Sequence, residues 1–168
     1  MYKRQGQIPL YYAHKNTGRP LKEGKWFEKF RSNYLDVDND ALYPFGYGLS
    51  YTTFRFSDIT LNRSSIGMDN ELVASVTVTN TGDRAGSEVV QLYIRDLVGS
   101  VTRPVKELKG FEKIYLQPNE SRTVRFTIAP EMLKFYNADL KFVAEPGDFD
   151  VMIGPDSRNV KTARFTLR

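Results

Sequence analysis

The residues best suited to binding a metal form a short acidic tract, Asp36-Val37-Asp38-Asn39-Asp40. Carboxylates at alternate positions are how a calcium-binding loop begins. Such a loop also needs a glycine at its sixth position and a bidentate glutamate at its twelfth. This chain has Ala41 and Tyr47 at those positions. The tract is therefore predicted to be a solvated acidic turn, and no metal site is predicted.

The chain has one histidine, His14, and no cysteine. A Ser/His/Asp triad or a histidine metal site would have to be built on that single imidazole. Thiolate zinc sites, iron–sulfur clusters and cysteine nucleophiles are excluded because they need cysteine. His14 stands beside Lys15 and Asn16 and is predicted to be a loop residue. The sequence predicts no cofactor.

Basic and aromatic residues alternate in the first third of the chain, a composition found in nucleic-acid-binding surfaces. Residues 1–55 carry the whole net charge of +4, while the rest of the chain is neutral and contains no nucleic-acid motif. We therefore predict no nucleic-acid partner and interpret the run as a solvated or domain-docking surface. The run comprises Lys15, Arg19, Lys22, Lys25, Trp26, Phe27, Lys29, Phe30 and Arg31.

The elements that carry these residues change in character near residue 54. With 168 residues, the chain is too short for a complete (β/α)₈ barrel of roughly 250 residues. From Phe54 onward, runs of alternating apolar and polar residues such as Leu72–Thr79 are separated by turn signals such as Asn80–Asp83. This pattern predicts an all-β fold, an immunoglobulin-like or fibronectin type III-like antiparallel sandwich of about seven strands. The other predicted elements are strands over Phe54–Leu61, Val89–Ile94, Val105–Leu116 with an interruption at Gly110, Thr123–Ile128, Leu140–Val143, Phe149–Ile153 and Ala163–Leu167, and one helical turn over Glu131–Phe135.

Residues 1–53 show no sustained periodicity, and only Gln7–Tyr12 has the pattern of a strand. Pro9 indicates that this strand lies at a sheet edge. An unpaired edge predicts self-association through Gln7–Tyr12. The aromatic content of the segment is high for a surface in water, which predicts that it lies on a neighbouring domain. The sequence contains neither the apolar core of a signal peptide nor a membrane span, so no membrane partner and no cellular location are predicted from it.

Exposed tyrosine rings are the residues on which sugar-binding modules stack pyranose rings. The alternation of the strands predicts that Phe126, Phe149 and Phe165 point inward. The candidates for sugar stacking are therefore Tyr93, Tyr115 and Tyr136. A carbohydrate-binding module and a protein-interaction module both stay open as functions.

Several motifs resemble the C-terminal part of family 3 glycoside hydrolases of the β-glucosidase type. Gly6–Pro20 is similar to the end of their second, α/β sandwich domain, and Leu42–Phe54, which reads LYPFGYGLSYTTF, is similar to the linker that follows. The resemblance implies a remnant of the α/β domain over residues 1–41, a linker over 42–53 and a fibronectin type III-like domain over 54–168. The motifs similar to that last domain are Val78–Gly82, Gly86–Tyr93, Arg103–Phe111 and Glu145–Phe149.

This resemblance implies an enzyme that hydrolyses a β-linked glucoside or a related sugar with retention, using an Asp nucleophile in a Ser-Asp-Trp motif. The tryptophan of this chain, Trp26, follows Lys25, so that motif does not occur and no catalytic residue is assigned. The isolated chain is predicted to be inactive and to act as a structural module on the catalytic domains of the same polypeptide. By the same resemblance, Tyr34 and Asp36 are candidates for the rim of the active site, and a periplasmic or secreted location is expected.

Overall fold

The structure is a computed structural model that describes residues 7–8, 10–16, 18–22, 25 and 27–168. Within these ranges the regular structure is β-sheet, apart from a 3₁₀ turn over Pro130–Leu133, and it begins at Phe54. The described residues contain no helix with the length and hydrophobicity that a membrane crossing requires. The strands are β1 (Phe54–Phe56), β2 (Thr60–Leu61), β3 (Ser65–Ile66), β4 (Leu72–Asn80), β5 (Gly86–Asp96), β6 (Glu107–Leu116), β7 (Ser121–Ile128), β8 (Phe135–Tyr136), β9 (Phe142–Val143), β10 (Gly147–Gly154) and β11 (Lys161–Leu167).

These strands form two main sheets and one small hairpin. In the first sheet, β4 pairs antiparallel with β7 along most of its length and with the short strands β1 and β2. The second sheet has the order β3-β11-β10-β5-β6, and all its neighbours are antiparallel except β3 and β11. The hairpin consists of β8 and β9.

The hydrophobic core lies between the two main sheets, and the alternation of the strands supplies it. Successive residues of β4 alternate between buried and half-buried positions, as a strand with one face on a core requires. The rings of Phe149 and Phe165 stack in the core with centroids 5.4 Å apart. The predicted fibronectin type III-like sandwich is confirmed. The core includes Leu72, Ala74, Val76, Val78, Val90, Leu92, Ile94, Ile114, Val124, Ile128, Val151, Ile153 and Leu167.

Two differences from the predicted strands have local causes. The predicted opening strand Phe54–Leu61 is divided into β1 and β2, because Ser57 bonds to Thr77 through both its backbone and its hydroxyl and the following residues leave the ladder. In β6 the register shifts by one residue opposite Leu92 and Tyr93, next to the predicted interruption at Gly110. The shift is a β-bulge, which leaves Lys109 without a cross-strand partner in the register.

The predicted strand over Gln7–Tyr12 is wrong: its described residues, 7–8 and 10–12, form no strand. The side chain of Gln7 is buried and donates to the carbonyls of Asp38 (2.5 Å) and Asp40 (3.0 Å), so side-chain contacts hold this stretch where a sheet was expected. Pro9 and Trp26 lie outside the described residues. The predicted self-association therefore loses the unpaired strand on which it rested.

Candidate functional site: the outer face of the five-stranded sheet

The described residues between 7 and 53 are called here the N-terminal segment, and part of this segment covers the outer face of the five-stranded sheet beside β5. Because Leu92 and Ile94 of β5 point into the core, Tyr93 points to the opposite face. The ring of Tyr12 meets Tyr93 edge-on with centroids 5.9 Å apart and stacks on Phe45 at 4.3 Å. The Tyr12 hydroxyl accepts a hydrogen bond from the backbone N–H of Leu108 at 3.3 Å. Both faces of this sheet are therefore covered near Tyr93.

Gln91 joins the segment to the sheet. Its side-chain amide donates to the carbonyls of Gly46 (3.3 Å) and Pro155, and its side-chain oxygen accepts from the Tyr93 hydroxyl at 2.5 Å. Burial raises the pKa of Tyr93 well above its ordinary value, so this hydroxyl keeps its proton and donates. Gly46 has a φ of +81°, and a Cβ there would collide with the Gln91 amide. The contact thus requires glycine at position 46.

The loop between β10 and β11 makes a second set of contacts with the segment. Asp156 shapes this loop because its carboxylate accepts from the backbone N–H groups of Arg158 and Asn159, each at 2.8 Å. Ser157 then donates its N–H to the carbonyl of Phe45 at 2.9 Å, and the Arg158 guanidinium donates to the carbonyl of Ala41. The loop therefore presents two hydrogen-bond donors, the Ser157 N–H and the Arg158 guanidinium, to carbonyls of the segment.

Lys106 completes this surface beside a cavity of about 230 Å³ that His14, Asp40 and Arg158 also line. Its ammonium group donates to the carbonyl of Ser157 at 2.5 Å. Burial lowers the pKa of Lys106, and the nearby carboxylates of Asp40 and Asp156 act in the opposite direction. The cavity is lined by charged groups of both signs. Gln91, Lys106 and the β10–β11 loop are called here the clasp, in which Lys106 holds the loop while Gln91 and the loop donate to segment carbonyls.

Asn80 fixes the end of the segment, whereas the pattern of the sequence predicts only a turn at Asn80–Asp83. Its buried amide donates to the carbonyls of Arg84 (2.7 Å) and Leu116 (3.1 Å). Its oxygen accepts from the Thr52 hydroxyl (2.6 Å) and from the N–H of Gly82 (3.1 Å). No local pattern could have identified this residue, because its partners lie up to 36 positions away.

The predicted rim residues lie in the N-terminal segment, away from the sandwich core. The hydroxyl of Tyr34 accepts from the N–H of Ile8 at 3.1 Å, and its N–H donates to the Asn39 side chain at 3.3 Å. Tyr34, Asp38 and Asn39 line an open cleft of about 790 Å³. Asp36 is exposed on the neighbouring turn. The structure thus places Tyr34 and Asp36 near one another, and their role at an active-site rim stays a prediction.

The three predicted stacking residues do not form one surface. Tyr93 is 0% exposed and cannot offer a ring face to a sugar, so that prediction is wrong. Its outward position was predicted correctly, but the covering by Tyr12 could not be read from β5. Tyr115 on β6 is 54% exposed, and Tyr136 on β8 is 67% exposed and packs against Phe142 with centroids 5.0 Å apart.

Other charged groups of the sandwich form ion pairs between a loop and a strand or across neighbouring strands. Arg103 bonds to Glu107 at 2.9 Å, lies 3.5 Å from the Asp96 carboxylate and stacks over the ring of Phe135 at 4.1 Å. Burial raises the pKa of Asp96, and Arg103 opposes that shift. Asp150 pairs with Arg164 at 2.9 Å. Among the residues that the structure describes, no three metal-ligating side chains of the His, Cys, Asp and Glu types gather into a cluster.

Comparison with known proteins shows which family and which enzymes this chain is similar to. The fibronectin type III-like domain family matches residues 88–157. The chain is 55% identical over 162 residues to the periplasmic beta-glucosidase of Salmonella typhimurium, covering 96% of this chain and 21% of that protein. It is 47% identical to a putative beta-xylosidase of Formosa agariphila, covering 97% of this chain and 20% of that protein.

A solved structure also matches both the N-terminal segment and the sandwich. The beta-glucosidase of Listeria innocua in complex with glucose superposes with a TM-score of 0.90 at 42% identity, over 96% of this chain and 22% of that chain. The chain thus spans about a fifth of the length of the relatives it matches. It corresponds to the C-terminal, fibronectin type III-like part of the β-glucosidases of glycoside hydrolase family 3, whose catalytic part lies elsewhere in those proteins.

Proposed function

We propose that this chain is the C-terminal structural module of an enzyme that hydrolyses β-linked glucosides or related sugars with retention of configuration. The observation that carries the proposal is the docking of the N-terminal segment on the outer face of the sandwich. The segment and the sandwich share hydrogen bonds through Gln91, the N–H of Val105 and the β10–β11 loop, so the sandwich is suited to holding the segment in one position.

The catalytic chemistry of this proposal belongs to the rest of the enzyme. A retaining glycosidase needs two carboxylates about 5–5.5 Å apart, one acting as nucleophile and the other as acid and base. In this chain, Asp96, Glu107, Asp150 and Asp156 are engaged by arginines or by backbone N–H groups. Their described contacts are structural, which supports the expectation that the isolated chain is inactive.

The proposal assigns residues 1–41 to the end of an α/β domain, 42–53 to a linker and 54–168 to the fibronectin type III-like domain. The first strand, at Phe54, supports the last boundary. The proposed partner is the catalytic part of the same polypeptide. The proposed location is periplasmic or secreted, supported by the periplasmic beta-glucosidase of Salmonella typhimurium.

Activity measurements test the proposal. The 168-residue chain is expected to show no turnover of an aryl β-glucoside after rigorous purification. A chimera in which this chain replaces the matching part of the Salmonella typhimurium protein is expected to hydrolyse that substrate. Turnover by the isolated chain, at a rate that follows the protein through successive columns, would contradict the proposal.

A second candidate function is binding of a polysaccharide on β6. Phe111 and Tyr115 lie on the same outer face of this edge strand, four residues apart, with 68% and 54% of their surfaces exposed. At about 3.3 Å per residue, the two rings are roughly 13 Å apart. Affinity electrophoresis in gels containing laminarin or xyloglucan tests this function: retardation that disappears in Tyr115→Ala but persists in Tyr136→Ala would support it. Equal mobility with and without polysaccharide would exclude these two glucans as ligands.

A further inference from the structure

The linker, residues 42–53, exposes a row of large apolar side chains that is called here the aromatic strip. Leu49 is 90% exposed and Tyr51 is 92% exposed. The rings of Tyr43 and Tyr47 pack together with centroids 5.0 Å apart, and both remain exposed. The aromatic strip consists of Leu42, Tyr43, Tyr47, Leu49 and Tyr51.

The opposite side of the linker is bound to the sandwich, so the strip is held outward. Near its start, the carbonyls of Phe45 and Gly46 accept from Ser157 and Gln91. At its end, the carbonyl of Thr53 accepts from the N–H of Thr81 at 2.8 Å, and the Thr52 hydroxyl donates to Asn80. The strip cannot turn inward without breaking these hydrogen bonds. Its exposure is therefore a consequence of how the linker is fixed.

The chemistry of the strip favours an apolar protein partner. From Leu42 to Phe54 the sequence contains no charged residue. Contiguous exposed apolar surface on a soluble protein marks an interaction site. An uncharged strip offers nothing to phosphates, and its tyrosines suit an interface because each combines a large apolar ring with one hydroxyl.

We infer that the aromatic strip is the surface on which the catalytic part of the same polypeptide docks, an inference that rests on the proposed function. The matched relatives are single chains about five times as long as the region they share with this chain. The match includes the linker, since 96% of the chain superposes on the Listeria innocua enzyme. The strip also continues the interface that already joins the N-terminal segment to the sandwich. The occupant is therefore the polypeptide that accompanies this segment in each of those relatives.

Tyrosine labelling tests the inference. The 168-residue chain and the Salmonella typhimurium chimera are treated with tetranitromethane at low protein concentration, and nitration of each tyrosine is followed by mass spectrometry. Nitration of Tyr51 is expected to be about tenfold slower in the chimera than in the isolated chain, because a ring buried in an interface reacts only while the interface is transiently open. Tyr136, on the β8–β9 hairpin, is the internal control and is expected to react at similar rates in both proteins.

A pair of variants gives a second readout. Leu49→Lys is expected to lower the thermal midpoint of the chimera and to leave that of the isolated chain unchanged, because Leu49 is buried only in the chimera. Leu140→Lys is the matched control, since Leu140 is 81% exposed and lies outside the strip; it is expected to change neither midpoint.

Equal nitration of Tyr51 in the chimera and in the isolated chain would overturn the inference. Protection of Tyr51 that appears in the isolated chain as its concentration is raised would overturn it in favour of a second copy. Activity of the chimera separates the two claims: an active chimera with a reactive Tyr51 contradicts the docking surface alone, whereas an inactive chimera with a protected Tyr51 contradicts the proposed function alone.

Discussion

The sandwich is stabilised by one kind of interaction and the N-terminal segment by another. In the sandwich, alternating apolar side chains from two sheets fill one core, and backbone ladders satisfy the polar groups. In the N-terminal segment, no strand forms among the described residues, and isolated backbone hydrogen bonds and side-chain donors replace a continuous ladder. Gln7, Asn39, Gln91 and Arg158 each donate to segment carbonyls.

This difference shows two ways to order a polypeptide. A sheet orders many residues at once, because each ladder and each buried alternate side chain supports the next. The segment depends on a few separate long-range hydrogen bonds from backbone and side-chain donors, and losing a buried one leaves a polar group without its partner. Changes in the core should therefore affect the whole sandwich, whereas changes at the clasp should affect the segment.

The largest expected effect is in the core. Phe149→Ala removes a ring that is 1% exposed and stacks on Phe165. Large-to-small substitutions of buried phenylalanine cost about 3–5 kcal/mol. Urea denaturation followed by circular dichroism is expected to show this loss, with Phe142→Ala, an exposed ring, as the control. A loss of unfolding free energy below about 1 kcal/mol would contradict the expectation that a change in the core destabilises the whole sandwich.

The second largest loss of stability is expected at Asn80, where the N-terminal segment meets the sandwich. Asn80→Leu removes two donors and one acceptor from a buried position and leaves the carbonyls of Arg84 and Leu116 and the hydroxyl of Thr52 unpaired. The expected loss of unfolding free energy is about 2–3 kcal/mol. Asn70→Leu is the control because Asn70 is exposed. Equal stability of the two variants would show that the Asn80 contacts contribute little.

A smaller and more local effect is expected at the clasp. In Gln91→Glu, the side chain still accepts from Tyr93 but can no longer donate to Gly46 and Pro155. The expected loss is about 1–2 kcal/mol. Hydrogen exchange should become faster at the amides of residues 42–53 and stay slow at β4. Gln117→Glu, on an exposed turn, is the control. Faster exchange throughout the sandwich would show that the segment and the sandwich unfold as one unit.

The smallest expected effect is a pH dependence at Lys106. Because burial lowers its pKa in the folded chain, the unfolded chain binds this proton more tightly. The contribution of Lys106 to stability therefore rises with pH between its lowered pKa and its ordinary value of 10.5 and is constant below that window. Lys106→Gln should lack this rise, so the stability difference between the wild type and the variant should change between about pH 8 and about pH 10.

Denaturation of both proteins in urea at the two pH values measures that difference. Lys113→Gln is the control, since Lys113 is exposed on β6. An identical pH dependence in the wild type and in Lys106→Gln would contradict the description of Lys106 as a desolvated member of the clasp.

The sequence by itself determined the sandwich fold and the family that the chain resembles. Alternation in Leu72–Thr79 and Val89–Ile94 predicted most of β4 and the middle of β5 and the faces that they bury, because the period of a strand is a local property. The motif Leu42–Phe54 identified the family by resemblance, whereas its assignment as a linker stays a prediction.

Only the tertiary structure decided how the N-terminal segment is held. The strand predicted over Gln7–Tyr12 is absent from its described residues, because Gln7 finds carbonyl partners more than 30 positions away. Tyr93 has an outward position on β5, and its burial depends on Tyr12, 81 residues earlier in the chain. Such contacts join positions that no local period relates, so residue spacing could not predict them.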